Sequence, residues 1–274
     1  MGQARAAQKR GQPDAPRARV GNTVDKLGDV PANEGLEDLI SGLTRLYRGP
    51  DELRRLTTLL EEKASTARKE GRKTLALRLT WGHAQAVQKT SPGTAQNLFF
   101  SLADLIDPAS HHPRIIADCA DAWRETKGFS RAKQLYLDLR KWHPRALEKE
   151  RTSYGLGMIA LAAGDDTAAM EWFDRCLVES VAGGPGVDAQ LARAALLRKS
   201  KRPTEAVAAL EKVLSNRLAL PAQKARALLA LGYCALDAGD AKRAATHFER
   251  CWLSGAKFKD TAAEARLQHG LALE

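Results

Sequence analysis

One segment occurs twice in this chain, and its recurrence limits what the chain can fold into. Residues 156–177 read LGMIALAAGDDTAAMEWFDRCL, and residues 231–252 read LGYCALDAGDAKRAATHFERCW. The two copies are offset by 75 residues, which is two periods of about 37. A chain with such a period consists of small units that stack side by side, because one unit cannot bury its own apolar face.

Single residues mark the same period along the rest of the chain. A small residue near the start of the second half of each unit recurs at intervals of 37, 37, 37 and 38 residues, at Ala95, Ala132, Ala169, Ala206 and Ala244. A period held over so many copies is typical of helical-repeat arrays. It predicts that repeated units occupy most of the chain.

The hydrophobic pattern predicts that these units are helical. From Leu36 onward, apolar residues recur every three or four positions, as they do on one face of an amphipathic helix. The chain is rich in Ala, Leu and Arg, which favour helix, and it lacks the alternating β-branched runs that indicate strands. We therefore expect an all-α fold.

The pattern divides the chain into three regions. Residues 1–34 are polar and basic and are interrupted by proline and glycine, which predicts a mobile tail. Residues 35–112 match the period less well, which predicts divergent N-terminal repeats, whereas residues 113–274 follow it closely. The last helix, around Gly270, is expected to be either a cap or half of an interrupted repeat. In the second case its exposed face would favour self-association.

Two glycines fall inside helices, where glycine costs roughly 1 kcal/mol relative to alanine. They are Gly157 and Gly232, at equivalent places in the two copies. A cost repeated at equivalent positions indicates a packing requirement. We expect each glycine to leave a notch for a bulky residue of the neighbouring helix, with Phe173 and Phe248, or residues next to them, as the candidates.

The turn inside each unit is also predicted from residue type. Gly164 and Gly239 follow the first helix, where a left-handed residue ends it. Asp165 and Asp240 come next and are placed to cap the second helix. In the middle copy the segment 201–203, reading KRP, replaces this device, and its proline suits the first helical turn.

These positions resemble the tetratricopeptide repeat. The residues that carry the resemblance are Leu156, Gly157, Ala169, Phe173 and Cys176 and their copies Leu231, Gly232, Ala244, Phe248 and Cys251. The resemblance implies a right-handed α-solenoid of antiparallel helix pairs whose first helices line a concave groove. It also implies a non-catalytic adaptor or scaffold that binds a partner protein.

Mapping the family's groove onto this chain gives a mainly apolar surface. The implied partner-binding residues are Tyr154, Met158, Leu161, Leu191, Arg198, Leu229, Tyr233 and Leu236. So many large apolar residues predict a groove that takes an amphipathic helix or an apolar peptide. One subclass of the family grips a C-terminal carboxylate with lysine and asparagine. The matching positions here hold Ala117, Asp121, Tyr154 and Met158, so we expect no binding to acidic chaperone tails.

The charge distribution leaves a second hypothesis open. The net charge is +10, and a basic cluster of Arg193, Lys199, Lys201 and Arg202 surrounds Arg198. These cations and the basic tail are candidates for phosphate contacts with nucleic acid. A solvated helix end is the alternative explanation, since cations also favour a helix C-terminus. A third hypothesis is the regulatory subunit of an enzyme complex.

Catalytic and cofactor motifs are missing from the sequence. It has no HExxH, Walker or GxGxxG pattern, and neither its histidines nor its four cysteines show metal-ligand spacing. We therefore expect no enzyme activity, cofactor or metal. No run approaches 18 apolar residues, so we expect no membrane span, and the cysteines suit a reducing cytoplasm.

Overall fold

The computed structural model describes residues 35–47, 49–180 and 184–254, together with 264–265, 267–269 and 271–272 near the C-terminus. Over these residues the backbone forms α-helices and turns with no strand, which confirms the all-α prediction. The predicted tail and Gly270 lie outside the described residues.

Twelve helices lie between residues 35 and 254 of the described chain. Their bounds are α1 Leu36–Leu46, α2 Pro50–Lys69, α3 Lys73–Val87, α4 Pro92–Ala103, α5 Pro113–Glu125, α6 Phe129–Trp142, α7 Lys149–Ala162, α8 Asp166–Glu179, α9 Pro185–Lys199, α10 Pro203–Ser215, α11 Pro221–Asp237 and α12 Ala241–Ser254. Neighbouring helices pack in pairs, as expected for a solenoid of the tetratricopeptide type. The chain divides into two compact units between Trp123 and Arg124, inside α5.

The first unit is organised around α3, which is buried along most of its length. An ion pair lies inside this unit: the Arg78 guanidinium donates two hydrogen bonds of 2.6 and 2.7 Å to the Glu37 carboxylate on α1. Both side chains are buried, at 7% and 3% exposed. Burial alone would raise the pKa of Glu37, but the hydrogen bonds and charge of Arg78 hold it below its ordinary value.

A second buried polar group connects α3 to α5 in the same unit. The Asp118 carboxylate accepts hydrogen bonds from Trp81 Nε1 at 2.8 Å and from Gln85 Nε2 at 2.7 Å. On another side, α3 approaches α1 closely, since a Cβ on Gly82 would lie 2.8 Å from Ile40 Cδ1. The first unit thus combines apolar packing with specific buried polar pairs.

The second unit repeats one packing device, the predicted glycine notch. A Cβ added to Gly157 would lie 2.6 Å from Phe173 Cε1, and one added to Gly232 would overlap the Phe248 ring. Both phenylalanines are fully buried. The notch prediction is confirmed in both copies: the absence of a side chain lets the ring of the second helix lie against the backbone of the first.

The middle pair of the second unit, α9 and α10, fills the same positions differently. Ala194 stands where the other copies have glycine, and Leu210 stands where they have phenylalanine. Both belong to one buried cluster and are 1% exposed. The smaller aliphatic side chain compensates for the added methyl group, so the packed volume is kept.

A third glycine contact was not predicted from the sequence. Gly155 on α7 faces the ring of Tyr136 on α6, which a Cβ at that position would overlap. Tyr136 is fully buried, and Arg124 Nε lies 3.4 Å from its hydroxyl. Gly155 therefore serves the contact between successive helix pairs, whereas Gly157 serves the contact within its own pair.

Four turns of the second unit share one backbone conformation. Gly164 and Gly239 have φ of 78° and 74°, and Lys127 and Lys201 have φ of 64° and 55°. In each turn this residue donates its N–H to the carbonyl three residues earlier. The predicted aspartate caps are also present, as Asp165 and Asp240 each accept a backbone hydrogen bond of 2.9 Å.

Candidate functional site

The first helices of the second unit are α7, α9 and α11. On α7, Tyr154, Met158 and Leu161 follow a spacing of four and three residues and lie on one side of the helix, next to Gly157. They are partly buried against a cluster that includes Ala189 and Leu196 of α9. Part of each side chain therefore stabilises the contact with the next first helix, and the remainder is exposed.

The equivalent face of α11 is also made of large, partly buried apolar side chains. Leu229, Tyr233 and Leu236 pack against a cluster containing Phe248, and Ala272 of the C-terminal segment joins them. The Tyr233 and Phe248 rings meet edge to face with centroids 5.5 Å apart. The Tyr233 hydroxyl donates to the Glu264 carboxylate, and burial followed by this hydrogen bond raises the pKa of Tyr233 to about 12.

The C-terminal segment takes the place of a further first helix. Ala265 is fully buried against Ala225 and Leu228, and Ala272 contacts the α11 face. Both lie 76 residues beyond Ala189 and Leu196 of α9, which belong to the cluster against which the α7 face packs. The described part of the segment therefore behaves as the first half of a repeat.

The middle helix α9 differs from its neighbours on this face. Leu191, a predicted groove residue, is 7% exposed and lies in the buried core of the α9–α10 pair. Ala195 is exposed and is one turn further along the helix. Arg198 is exposed, lies 5.2 Å from the centroid of the Tyr233 ring, and has its Nε 3.6 Å from Asp237 Oδ2.

Two register positions of the first helices form what we call the apolar stripe. It consists of Tyr154 and Met158 on α7, Ala195 on α9, Leu229 and Tyr233 on α11, and Leu267 and Leu271 in the C-terminal segment. The last two are 63% and 56% exposed. Sequence reasoning missed Ala195, Leu267 and Leu271, although steps of 37 and 38 residues from Met158 and Tyr154 reach them.

Most cations of the basic cluster have carboxylate partners. Arg193 lies 2.6 Å from Asp174, Lys199 lies 2.5 Å from Asp166, and Arg202 lies 2.6 Å from Glu205. Lys201 occupies the left-handed position of its turn. The cluster is therefore arranged as a set of surface ion pairs at a helix end, with much of its charge neutralised locally.

The described residues hold no group of three or more side chains that could bind a metal ion. All four cysteines lie among the described residues, where they are buried and are not joined in disulfides. Burial, followed by the charges of Glu150 and Glu179, raises the pKa of Cys176 to about 12, so this thiol stays protonated. None of the described helices is both long enough and apolar enough to cross a membrane.

Comparison with known proteins gives a consistent result. The sequence profile of the tetratricopeptide repeat matches residues 120–187 and 191–251. None of the curated proteins matches the chain in sequence.

Solved structures share the fold at low sequence identity. A tetratricopeptide repeat protein from Parabacteroides merdae is 16% identical, with a TM-score of 0.54 over 90% of this chain and 98% of that one. PilF of Pseudomonas aeruginosa is 16% identical, with a TM-score of 0.54 over 79% and 99%. A Rap protein complexed with competence and sporulation factor is 14% identical, with a TM-score of 0.56 over 85% and 70%.

These findings place the molecule among the helical-repeat solenoids, a class built for interaction with other proteins. The residues that the family profile matches, 120–187 and 191–251, are tetratricopeptide repeats, which supports the resemblance seen in the sequence.

Proposed function

We propose that the second unit is a non-catalytic scaffold that binds an apolar segment of a partner protein along the apolar stripe. The observation that carries this proposal is the recurrence of partly exposed apolar residues at two register positions of successive first helices. Repeated apolar exposure in one register is typical of a surface that a partner covers.

The C-terminal segment lengthens the proposed surface. Leu267 and Leu271 hold the same register positions as Leu229 and Tyr233 and are more than half exposed. With α7, α9 and α11, four successive first helices contribute. At about 8–10 Å between neighbouring helices, the surface spans roughly 25–30 Å. An amphipathic helix of about five turns, at 5.4 Å per turn, covers this length.

Ala195 offers the sharpest test because it lies in the middle of the stripe and is exposed. We expect Ala195→Arg to abolish partner capture without loss of stability, since a long charged side chain would block the surface. The matched control is Ala208→Arg, an exposed helical alanine on α10 outside the stripe. Affinity capture with the intact chain and both variants measures the difference. Equal capture by the two variants would overturn the proposal.

Salt dependence separates this proposal from nucleic-acid binding. An apolar complex is expected to change little in affinity between 50 and 200 mM salt, whereas six or more phosphate contacts would weaken binding about a thousandfold. The ion pairs of Arg193, Lys199 and Arg202 favour the first outcome, because cations paired within the chain have less charge to offer phosphates.

A further inference from the structure

One cation interrupts the apolar face, and its surroundings differ from those of its neighbours. Arg198 occupies the register position that holds Leu161 on α7 and Leu236 on α11. An inference about its role rests on the proposed function, since it concerns what a bound segment must present at this point.

The guanidinium of Arg198 is held in place by an aromatic ring. It lies 5.2 Å from the centroid of Tyr233, a distance typical of a cation–π contact. The ring is itself fixed, by edge-to-face packing on Phe248 and by the hydrogen bond from its hydroxyl to Glu264. Arg198 is therefore oriented before any partner arrives, which reduces the entropy lost on binding.

The hydrogen-bonding capacity of this guanidinium is only weakly used. Its nearest carboxylate oxygen, on Asp237, is 3.6 Å from Nε, which is longer than a hydrogen bond, and the two side chains are 39% and 53% exposed. By contrast, Arg193 and Arg202 each lie 2.6 Å from a carboxylate. An exposed ion pair at such a distance is weak and is readily replaced by a better acceptor.

We propose that Arg198 binds the side-chain carboxylate of an aspartate or glutamate in the partner segment, within a run of apolar residues. The planar guanidinium fork matches a carboxylate with two parallel hydrogen bonds, and the apolar stripe around it excludes water from the pair. Apolar positions continue on both sides of Arg198, on α7 and on α11. The segment therefore passes across this point, which favours an internal acidic side chain over a chain terminus.

Selected peptides provide a test that does not depend on the identity of the partner. A random 12-residue phage-display library is selected on the wild-type chain after depletion on the Ala195→Arg variant, which removes ligands that bind elsewhere. The tightest peptide is synthesised with each acidic residue in turn changed to its amide. Dissociation constants are measured by fluorescence anisotropy for the wild type, Arg198→Ala, Arg198→Lys and Arg193→Ala.

We expect one acidic residue whose amide replacement weakens binding to the wild type about tenfold or more. The same replacement is expected to have no effect on Arg198→Ala and an intermediate effect on Arg198→Lys, which keeps the charge but loses the fork. Arg193→Ala loses an exposed ion pair on the same helix and is expected to behave like the wild type. Matching melting temperatures show that the variants are folded.

The possible failures are distinguishable. If no peptide survives depletion on Ala195→Arg, the proposed function itself fails. If peptides bind the stripe but lack an acidic residue, or if the amide replacement weakens binding equally in Arg198→Ala, the role of Arg198 is refuted. If only C-terminal amidation of the peptide weakens binding, Arg198 binds a terminal carboxylate and the proposal is also overturned.

Discussion

The two units bury helix faces by different chemistry. The first unit places an ion pair, Arg78 with Glu37, and a hydrogen-bonded Asp118 among its apolar residues. In the second unit the rings of Phe173 and Phe248 are seated against glycine backbone at equivalent places, a packing by shape that recurs. This unit also has an ion pair, Arg140 with Glu179, but its side chains are only partly buried. Packing by shape can be repeated from one helix pair to the next, because each pair contacts only its neighbours. A buried ion pair joins two particular residues, and its position does not follow from a repeat.

The two kinds of packing respond differently to substitution. A buried ion pair adds little stability compared with a well-packed apolar pair, but removing one partner leaves an uncompensated charge in the interior. A glycine notch has no charge to leave behind, so its loss costs only the strain of an overfilled space. We therefore expect the largest single-residue effect in the first unit and a smaller, repeated effect in the second.

The largest effect is expected for Arg78→Met. The substitution leaves Glu37 buried without its partner and should lower the free energy of unfolding of the first unit by about 3–5 kcal/mol. Amide hydrogen exchange in α3 measures this unit separately from the second. The double variant Arg78→Met/Glu37→Leu should recover most of the loss, since an apolar pair replaces the ion pair. If Arg78→Met left the hydrogen-exchange protection of α3 unchanged, the buried ion pair would not be the most sensitive point of the first unit.

An intermediate effect is expected for Gly157→Ala. The added methyl group would lie 2.6 Å from the Phe173 ring, and we expect a loss of about 1–3 kcal/mol by urea denaturation. The middle pair supplies the matched rescue, because it combines Ala194 with Leu210. Gly157→Ala/Phe173→Leu should therefore be more stable than the sum of its two single variants predicts. Strict additivity would show that the two residues do not compensate for each other.

The smallest effect concerns acid sensitivity in the second unit. Burial would raise the pKa of Glu179, but hydrogen bonds from Arg140 and Ser153 outweigh it and hold the pKa below its ordinary value. The stabilisation is therefore present above the ordinary glutamate pKa and is lost as pH falls through the lowered one. We expect Glu179→Gln to be less stable than the wild type by about 1 kcal/mol at pH 7.

The control for this effect is the same pair of proteins at lower pH. The difference between the wild type and Glu179→Gln should shrink as pH falls from above the ordinary glutamate pKa to below the lowered one, because the protonated carboxyl then resembles the amide. Thermal melts across this range measure it. A difference that stays constant with pH would rule out the ionised carboxylate as the source of the stabilisation.

Repetition explains how much of the second unit could be predicted from the sequence. The glycine notches, at Gly157 and Gly232, and the aspartate caps each occur twice at equivalent positions. This recurrence distinguishes them from glycines and aspartates that have no structural role. The left-handed Lys127 carries no such signal in its residue type, although one period back from Gly164 reaches it. Gly155 has no equivalent glycine, and its contact with Tyr136 became visible only in the structure.

The polar core of the first unit could not have been predicted in the same way. Arg78 and Glu37 are 41 residues apart and lie on helices whose patterns show ordinary amphipathic spacing. Nothing in the sequence distinguishes them from surface residues. In the candidate site, the family resemblance located most of the stripe, but Leu191 is in the core and the exposed position of α9 belongs to Ala195.

The left-handed turns at Lys127, Gly164, Lys201 and Gly239 recur in step with the repeat, and in each the left-handed residue donates a hydrogen bond to the carbonyl three residues earlier. Every stretch between two of them is therefore a complete module that begins and ends in the same backbone geometry. Adding or removing one whole module between two such turns would therefore join backbone of the same conformation and create no new kind of junction. The length of the array, and with it the number of stripe positions, is thus open to evolutionary change in whole steps.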